Sequence, residues 1–546
     1  MCTAEGAGSA NPNLERVNLG DQVKNFDVVI VGAGHNGLVA ACYLAKAGLS
    51  VRVFECQDHV GGAAISAEVF PGVSARLSRY SYLVSLLPEK VRTDLGMSLT
   101  TVKRAVSSFT PDPSDPTKAL AIPHGDPEGL RSRIAEFTGN QADADAWVDF
   151  YARTERIAKI IFPTLTKPLM SRDDLRKMIN NEADWHDFFE RPLGEVIEKS
   201  ISNDVLRGIV LTDALIGTYA DAHGADLRHN ICFLYHVIGN GTGDWDVPVG
   251  GMGQVTGQLE SIAQDLGVTI ETSTQVRGIE SSGDLHIVTT SSGSVTARFV
   301  LVNATPTVLA ELLGEAAPEI PERHAGAQIK VNMLLKRLPA LHSGESQEAF
   351  NGTFHINESY VQLQEAFTQA QSGELPNPLP AEIYCHSLTD PSILSPQLQK
   401  EGVQTLTLFA LQTPHELFAR NLNPVTAEQA KSAVYATLNS VLAEPIEDCL
   451  YLDPHGNPCI EVNTTMDIQE SLGIATGNIF HTPLDWPWAS SPEQIGTWGV
   501  ETPYPNIFLC GSGAARGGGV SGIPGHNAAA AVIERVRRTD VNMKHD

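Results

Sequence analysis

The sequence predicts an α/β protein whose parallel sheet is assembled from separated stretches of chain, with a helical region and a mixed-sheet region inserted between them. Three observations carry that expectation. A strand, a glycine turn, a helix and a second strand follow one another across residues 26–55. A similar rhythm returns over residues 246–305, and a short apolar run at 506–510 opens into a glycine-rich segment and a closing helix.

Residues 26–31, FDVVIV, are a β-branched run bounded by glycine, as expected for a strand buried on both faces of a parallel sheet. The chain then turns through Gly32, Ala33, Gly34, His35, Asn36 and Gly37, which reads G-x-G-x-x-G. In that pattern Gly32 permits the tight turn, Gly34 lets backbone approach a pyrophosphate, and Gly37 allows close helix-to-strand packing. Residues 38–48 continue as a helix ending at glycine, and a second strand at 49–54 delivers Glu55, 18 residues after Gly37, where a carboxylate accepts hydrogen bonds from a ribose diol. The whole unit predicts a Rossmann-like dinucleotide site for an adenosine ribose without a 2′-phosphate. After Glu55 come five residues and then Gly61 and Gly62, an E-x5-G-G pattern that resembles flavoproteins of the monoamine oxidase and phytoene desaturase type and so implies FAD.

The second return begins with a Gly250-Gly251-Met252-Gly253 turn, a helix at 254–266, a strand at 268–271 and a hairpin at 285–304. Gly251 and Met252 are expected at the flavin and Val276 at adenine. The third opens with the strand 506–510, followed by seventeen residues (511–527) of which eight are glycine or proline. Such a stretch has too little side chain to build a core, and it leads into an alanine-rich helix from Asn527 whose free amides suit an anion or an electron-rich ring oxygen. Gly511, Ser512, Gly519, Val520 and Pro524 are the flavin-binding candidates there.

Between these returns, residues 106–245 lose the βαβ rhythm and read as mainly helical, with Trp147, Phe150, Thr154, Ile157 and Ile161 on one face before Pro163. Core packing is the favoured reading of that face, with peripheral membrane contact as the alternative. Residues 316–480 carry alternating runs such as 330–335 and 405–411, expected as strands of a second sheet. The FAD-binding domain is thus expected to be discontinuous, from 26–105, 246–315 and 481–535, with flexible ends at 1–25 and 536–546.

Composition narrows the function. A chain of 546 residues, 42% hydrophobic, is long enough for several domains with a large core. Its 64 acidic against 38 basic residues, a formal net charge of −26, argue against general attraction to nucleic acid or anionic lipid. The eight cysteines show no C-x-x-C pair, so no metal site is expected and a reducing, cytoplasmic setting is. The first 25 residues lack a signal-like apolar core and no apolar run reaches about 18 residues. No integral membrane segment is expected.

The pairing of GAGHNGLVAA (32–41) with GGGVSGIPGHNAA (517–529) resembles the phytoene-dehydrogenase-like family of FAD-dependent oxidoreductases. The likeness is greatest to its non-carotenogenic, pyridine nucleotide-disulphide oxidoreductase domain-containing branch, which has an animal mitochondrial member. SYLVSLLPEKV, VPVGGMG, KVNMLLKRLP and HSLTDPS agree with it, and the likeness runs over residues 26–535. It implies a two-dinucleotide-binding-domain flavoprotein with a substrate domain over the isoalloxazine. Two positions depart from the wider amine-oxidase-like pattern: Ala63 stands where many members carry arginine, and Ser512 where many carry an acid.

The resemblance places Lys330 like the lysine that reaches a water beside flavin N5 in monoamine-oxidase-like enzymes, against the plain reading of a solvent-facing strand residue. Lys336 is the decoy on the same segment. Arg516, among glycines, is a candidate to steady an anionic reduced flavin, and His526 a lesser one. Tyr235, His236, Trp486, Trp488 and Trp498 are candidate pocket aromatics, with His236 also taken as catalytic. The activity expected is an FAD-dependent dehydrogenase or oxidase acting on a largely apolar small molecule, including C–C desaturation of an isoprenoid-like substrate. A redox-neutral flavin-assisted isomerase and a non-catalytic FAD-bearing interaction protein are the rivals. Oxygen or a quinone is the expected electron acceptor, because Gly239-Asn240-Gly241-Thr242-Gly243 lacks the spacing of a second dinucleotide fingerprint.

Overall fold

Runs of valine and isoleucine that are too short for helices and covered on both faces build the first sheet. In the computed structural model, which describes residues 24–542, the strand Asn25–Val31 lies between Val51–Phe54 and Gly293–Val302, parallel to both. Val28, Val29 and Ile30 are fully buried there. Thr269–Glu271 extends the sheet beyond Val51–Phe54. On the other side Val276–Ser282 and Leu285–Thr290 add an antiparallel meander, and Ile507–Leu509 pairs in parallel with the last residues of Gly293–Val302. Three separated stretches of chain therefore meet in one sheet. The expected hairpin at 285–304 is the later part of a three-stranded meander.

The helices His35–Lys46, Gly253–Asp265 and Ile523–Asn542 share one apolar cluster through Leu38, Val39, Val255, Leu259, Ala528 and Val532. The last helix starts at Ile523, four residues before the expected Asn527, and proline suits that first turn because its missing N–H has no helical partner to lose. It also runs to Asn542, so residues 536–542 are helical where a flexible end was expected; Arg298 Nη2 donates to Thr539 Oγ1 at 3.0 Å across to the sheet. Residues 1–23 and 543–546 lie outside the described residues.

A second, mixed sheet has the order Ile460–Asn463, Ile329–Leu335, Gln404–Ala410, Ala381–Tyr384, Thr353–Ile356, Val106–Asp112 and Asp115–Pro123. Its last two strands correct the expected helical boundary at 106. They form a hairpin whose alternation is broken by register shifts at Val106/Ser108 and Pro111/Asp112, which hid it in the sequence. Helices run from Pro127–Thr138 to Arg228–Val237. The Trp147, Phe150, Ile157 and Ile161 face is buried against Trp185, Phe188 and Phe233, so it is core.

Candidate active site

One continuous cavity of about 890 Å3 runs from the glycine turn of the first sheet to the second sheet. Its nucleotide end is built from Gly32, Gly34, His35, Glu55, Gly62 and Ala63. The helix His35–Lys46 has Gly34 at its N-cap with no side-chain cap, which leaves its first amides for an anion. A parallel bridge between Gly34 and Gly61 brings the E-x5-G-G loop against the turn, with Gly61 N–H donating to Ala33 O at 2.9 Å. A Cβ on Gly62 would stand 3.3 Å from Gly34 Cα, and one on Gly37 2.3 Å from Gly32 O. Glu55 accepts from Ala33 N–H at 2.7 Å and from Gln57 N–H at 2.9 Å, which fixes its carboxylate at the cavity wall.

Asn303, not singled out in the sequence, ties this end together. It follows the strand Gly293–Val302, and its Nδ2 donates to Gly32 O at 3.2 Å. Its position follows from the parallel pairing of that strand with Asn25–Val31, a contact between residues 271 apart in sequence. Val276 lines the cavity beside Thr274 and Gln275.

Of the C-terminal candidates, Ser512, Gly519 and Val520 line the cavity. Gly511 packs behind it on Asn303, and Pro524 lies in the first turn of the final helix. Asn36 is buried with Nδ2 donating to Ser512 Oγ at 3.4 Å and Oδ1 without a partner, so the two glycine segments touch. Gly251 and Met252 are not on the cavity wall. Their turn is consumed by the hairpin at 66–78, with Met252 N–H donating to Ser78 Oγ at 3.1 Å and the Met252 side chain inside the core.

Arg516 also departs from expectation. With φ +59°, its guanidinium turns to the carbonyls of Thr164 (3.2 Å), Lys167 (2.6 Å) and Trp498 (2.9 Å), where it tethers the glycine segment to the helical region. Burial lowers its pKa to about 10, against the opposing pull of Glu501. His526 sits edge-on to Tyr43 at 5.0 Å. Trp486 and Trp488 stack on each other at 4.8 Å within the helical core, and Trp498 lies 6.0 Å from His526, all off the main cavity.

Lys330 is on that wall and only 2% exposed. Its Nζ donates to Asn332 Oδ1 at 2.9 Å and lies 4.8 Å from the centre of the Tyr82 ring. Burial lowers its pKa to about 7, with Glu461 pulling the other way. Lys336 is exposed. Tyr82, which the sequence reading missed, donates its hydroxyl to Glu382 Oε1 at 3.3 Å. Glu382, Asp213, His355, Tyr384 and Arg104 share the wall of the second-sheet end. Desolvation raises both Glu382 and Asp213, the latter to about 7. His236 lines the helical side, with Nδ1 bonded to the Cys232 carbonyl at 2.8 Å and its pKa lowered to about 4 by burial; the ring is neutral and stacks on Trp245.

The residues fit FAD on features of the chain itself. The buried atoms His35 Nε2, Asn36 Oδ1, Tyr235 OH and His481 Nδ1 have no partner in the protein. Of their residues, His35, Tyr235 and His481 line the cavity, and burial lowers both histidines to about 4, so each ring is neutral and able to bond a polar, uncharged edge. Gly519 is required beside Tyr235, since a Cβ there would stand 2.1 Å from its hydroxyl oxygen.

The fold and this site define a flavin-dependent oxidoreductase. Residues 37–371 match the family model described as flavin containing amine oxidoreductase, and the chain belongs to that family. Its cofactor is FAD. An uncharacterized protein of Mycobacterium tuberculosis is 48% identical over 94% of this chain and 98% of its own length. Pyridine nucleotide-disulfide oxidoreductase domain-containing protein 2 of Rattus norvegicus is 29% identical over 94% of each chain, in line with the branch resemblance. Among solved structures, a putrescine oxidase redesigned in its cofactor binding superposes with TM-score 0.58 at 17% identity, covering 94% of this chain and 99% of that one, which shows the shared fold.

Proposed function

We propose that the protein is an FAD-dependent dehydrogenase or oxidase that removes two electrons and two protons from a largely apolar small molecule, the C–C desaturation of an isoprenoid-like compound included, and passes them to oxygen or a quinone. The observation that carries this reading is one continuous cavity: a nucleotide cradle at one end, a chamber with apolar walls and a polar second-sheet end at the other, and a buried lysine on its wall. Leu83, Leu86, Ile209, Ile216, Phe409 and Phe480 supply apolar surface and exclude water.

The flavin, when bound, supplies the two-electron acceptor. The chain's own residues bind, orient and manage protons. Glu55 and the amides behind Gly34 hold the nucleotide end. With its pKa near 7, Lys330 exchanges a proton close to neutral pH without needing a charged partner. Tyr82 turns its ring face to that ammonium and donates its hydroxyl to Glu382.

Anaerobic flavin absorbance of the purified protein, titrated with isoprenoids, amines and alcohols, tests the proposal. The expected result is bleaching by an apolar compound with a stoichiometric oxidised product, and return of colour on adding air or a quinone. A tightly bound flavin that no member of the panel bleaches, while one of them is rearranged without net oxidation, would establish the redox-neutral isomerase instead.

A further inference from the structure

Arg104 stands on the cavity wall between Lys103, which pairs with Asp244 at the surface, and the buried strand Val106–Asp112. A guanidinium carries five N–H donors and a charge that it does not lose inside a protein. Here Nη1 donates to Thr353 Oγ1 at 2.9 Å, and the guanidinium carbon lies 5.8 Å from the centre of the Tyr384 ring. Among the described residues no carboxylate stands within ion-pair distance of it. Glu382 and Asp246 act on it only from further away, and burial is the largest influence, pulling its pKa below the ordinary range.

A half-buried guanidinium on a cavity wall, with no paired anion among the described residues, is a ready site for an anionic ligand. Thr353 and the Tyr384 face hold the fork in place but leave most of its donors open toward the cavity. The neighbouring carboxyls are poor permanent counter-ions. Desolvation raises both Glu382 and Asp213 to about 7, so each is only partly ionised near neutral pH, and Glu382 is already engaged by Tyr82. No donor among the described residues is in hydrogen-bond distance of the Asp213 carboxyl, which therefore also faces the chamber.

We infer that the arginine's partner is the substrate: the chamber takes an amphipathic carboxylic acid, with Arg104 clamping the carboxylate and the apolar walls holding the hydrocarbon part. The inference rests on reading the cavity as the substrate site. It narrows the apolar substrate class to molecules with one anionic end, and Arg104 is a specificity-determining residue. A planar guanidinium matches a carboxylate bidentately, which a neutral hydroxyl or a cationic amine cannot reproduce.

The test uses FAD-loaded protein and three probes of equal chain length, dodecanoate, dodecan-1-ol and dodecylamine, with binding read from the flavin visible difference spectrum. Dodecanoate is expected to bind at least tenfold more tightly than the alcohol and far more tightly than the amine. Arg104→Gln should remove that tenfold preference and leave the alcohol's affinity unchanged, while Arg104→Lys should keep part of it. Arg104→Met should melt, without probe, close to the parent temperature, because the half-buried guanidinium makes no ion pair among the described residues; a structural ion pair would give a clear loss. Equal affinity for acid and alcohol, a preference for the amine, or a uniform loss with Arg104→Gln would overturn the inference. Binding needs no turnover, so the two readings fail separately. Flavin bleached by a neutral apolar compound without acid preference sinks only the arginine assignment, and acid bound through Arg104 to a flavin that nothing bleaches sinks only the redox one.

Discussion

Lys330 enters the fold in the strand Ile329–Leu335, whose seven residues are all buried, and its ammonium faces the cavity. In the unfolded chain it keeps its proton up to its ordinary pKa of 10.5, and in the fold only to about 7. Below about pH 7 both states are charged and the fold bears the whole burial cost, which for such a shift is roughly 5 kcal/mol. The cost is relieved as pH rises from about 7 to about 10.5. Lys330→Met should therefore raise the melting temperature most at pH 6 and progressively less toward pH 10; an equal effect at every pH would refute the burial argument. If the lysine also serves reoxidation, the same variant should slow the return of flavin colour in air by at least tenfold while changing anaerobic bleaching much less. The sequence placed this residue on a strand but left its facing open, because a lone lysine in an alternating run is compatible with either side. The packing of Ile329, Val331 and Met333 into the apolar core decides it, because it leaves Lys330 on the cavity side. Arg516 shows the converse: its glycine neighbours were legible, but not the left-handed backbone that turns its side chain to the carbonyls of Thr164, Lys167 and Trp498.

At the scale of elements, strand, glycine turn and helix were legible at 26–48 because each glycine answers a local steric demand. Asn303, by contrast, reaches the turn only through strand pairing across the chain. The glycines make separable predictions. On Gly37 a Cβ meets Gly32 O at 2.3 Å, an immovable backbone atom, so Gly37→Ala should disrupt the turn and yield protein with little flavin. On Gly34 the nearest atom is Asn303 Nδ2 at 2.9 Å, the end of a side chain able to shift, and its φ of −66° suits any residue. Gly34→Ala should thus fold, with a melting curve close to the parent's without FAD, yet bind FAD at least tenfold more weakly because the added methyl stands where the pyrophosphate approaches. Flavin-to-protein absorbance ratios after dialysis check both, and full flavin retention by Gly34→Ala would remove the turn from the site. The Gly250–Gly253 turn looked similar in sequence, but the hydroxyls of Ser66 and Ser78 take its amides. Those two serines lie more than 170 residues away, and no local pattern announces them.

For the whole molecule, the cavity lies where separate apolar cores meet: one beneath the first sheet and its helices, one among the helices of 127–237 and one against the second sheet. None of these cores fills the space between them, so a ligand spanning it contacts all three parts of the fold at once. Binding to the native state alone stabilises by RT ln(1 + [L]/Kd), about 4 kcal/mol at a thousandfold excess over Kd. Protein stripped of flavin should accordingly melt several degrees lower than the loaded form. The two ends of the cavity contribute differently to that gain. The nucleotide end, with Glu55, His35 and the amides behind Gly34, suits the adenosine diphosphate half of the cofactor, whereas Tyr235 and His481 line the cavity with polar atoms that have no partner among the described residues. Adding FAD to stripped protein should restore the full melting temperature, and FMN at the same concentration only a minor part. Glu55→Gln should shrink the FAD gain while leaving the small FMN gain intact. Equal restoration by FMN and FAD would mean that the turn at 32–37 does not hold the nucleotide.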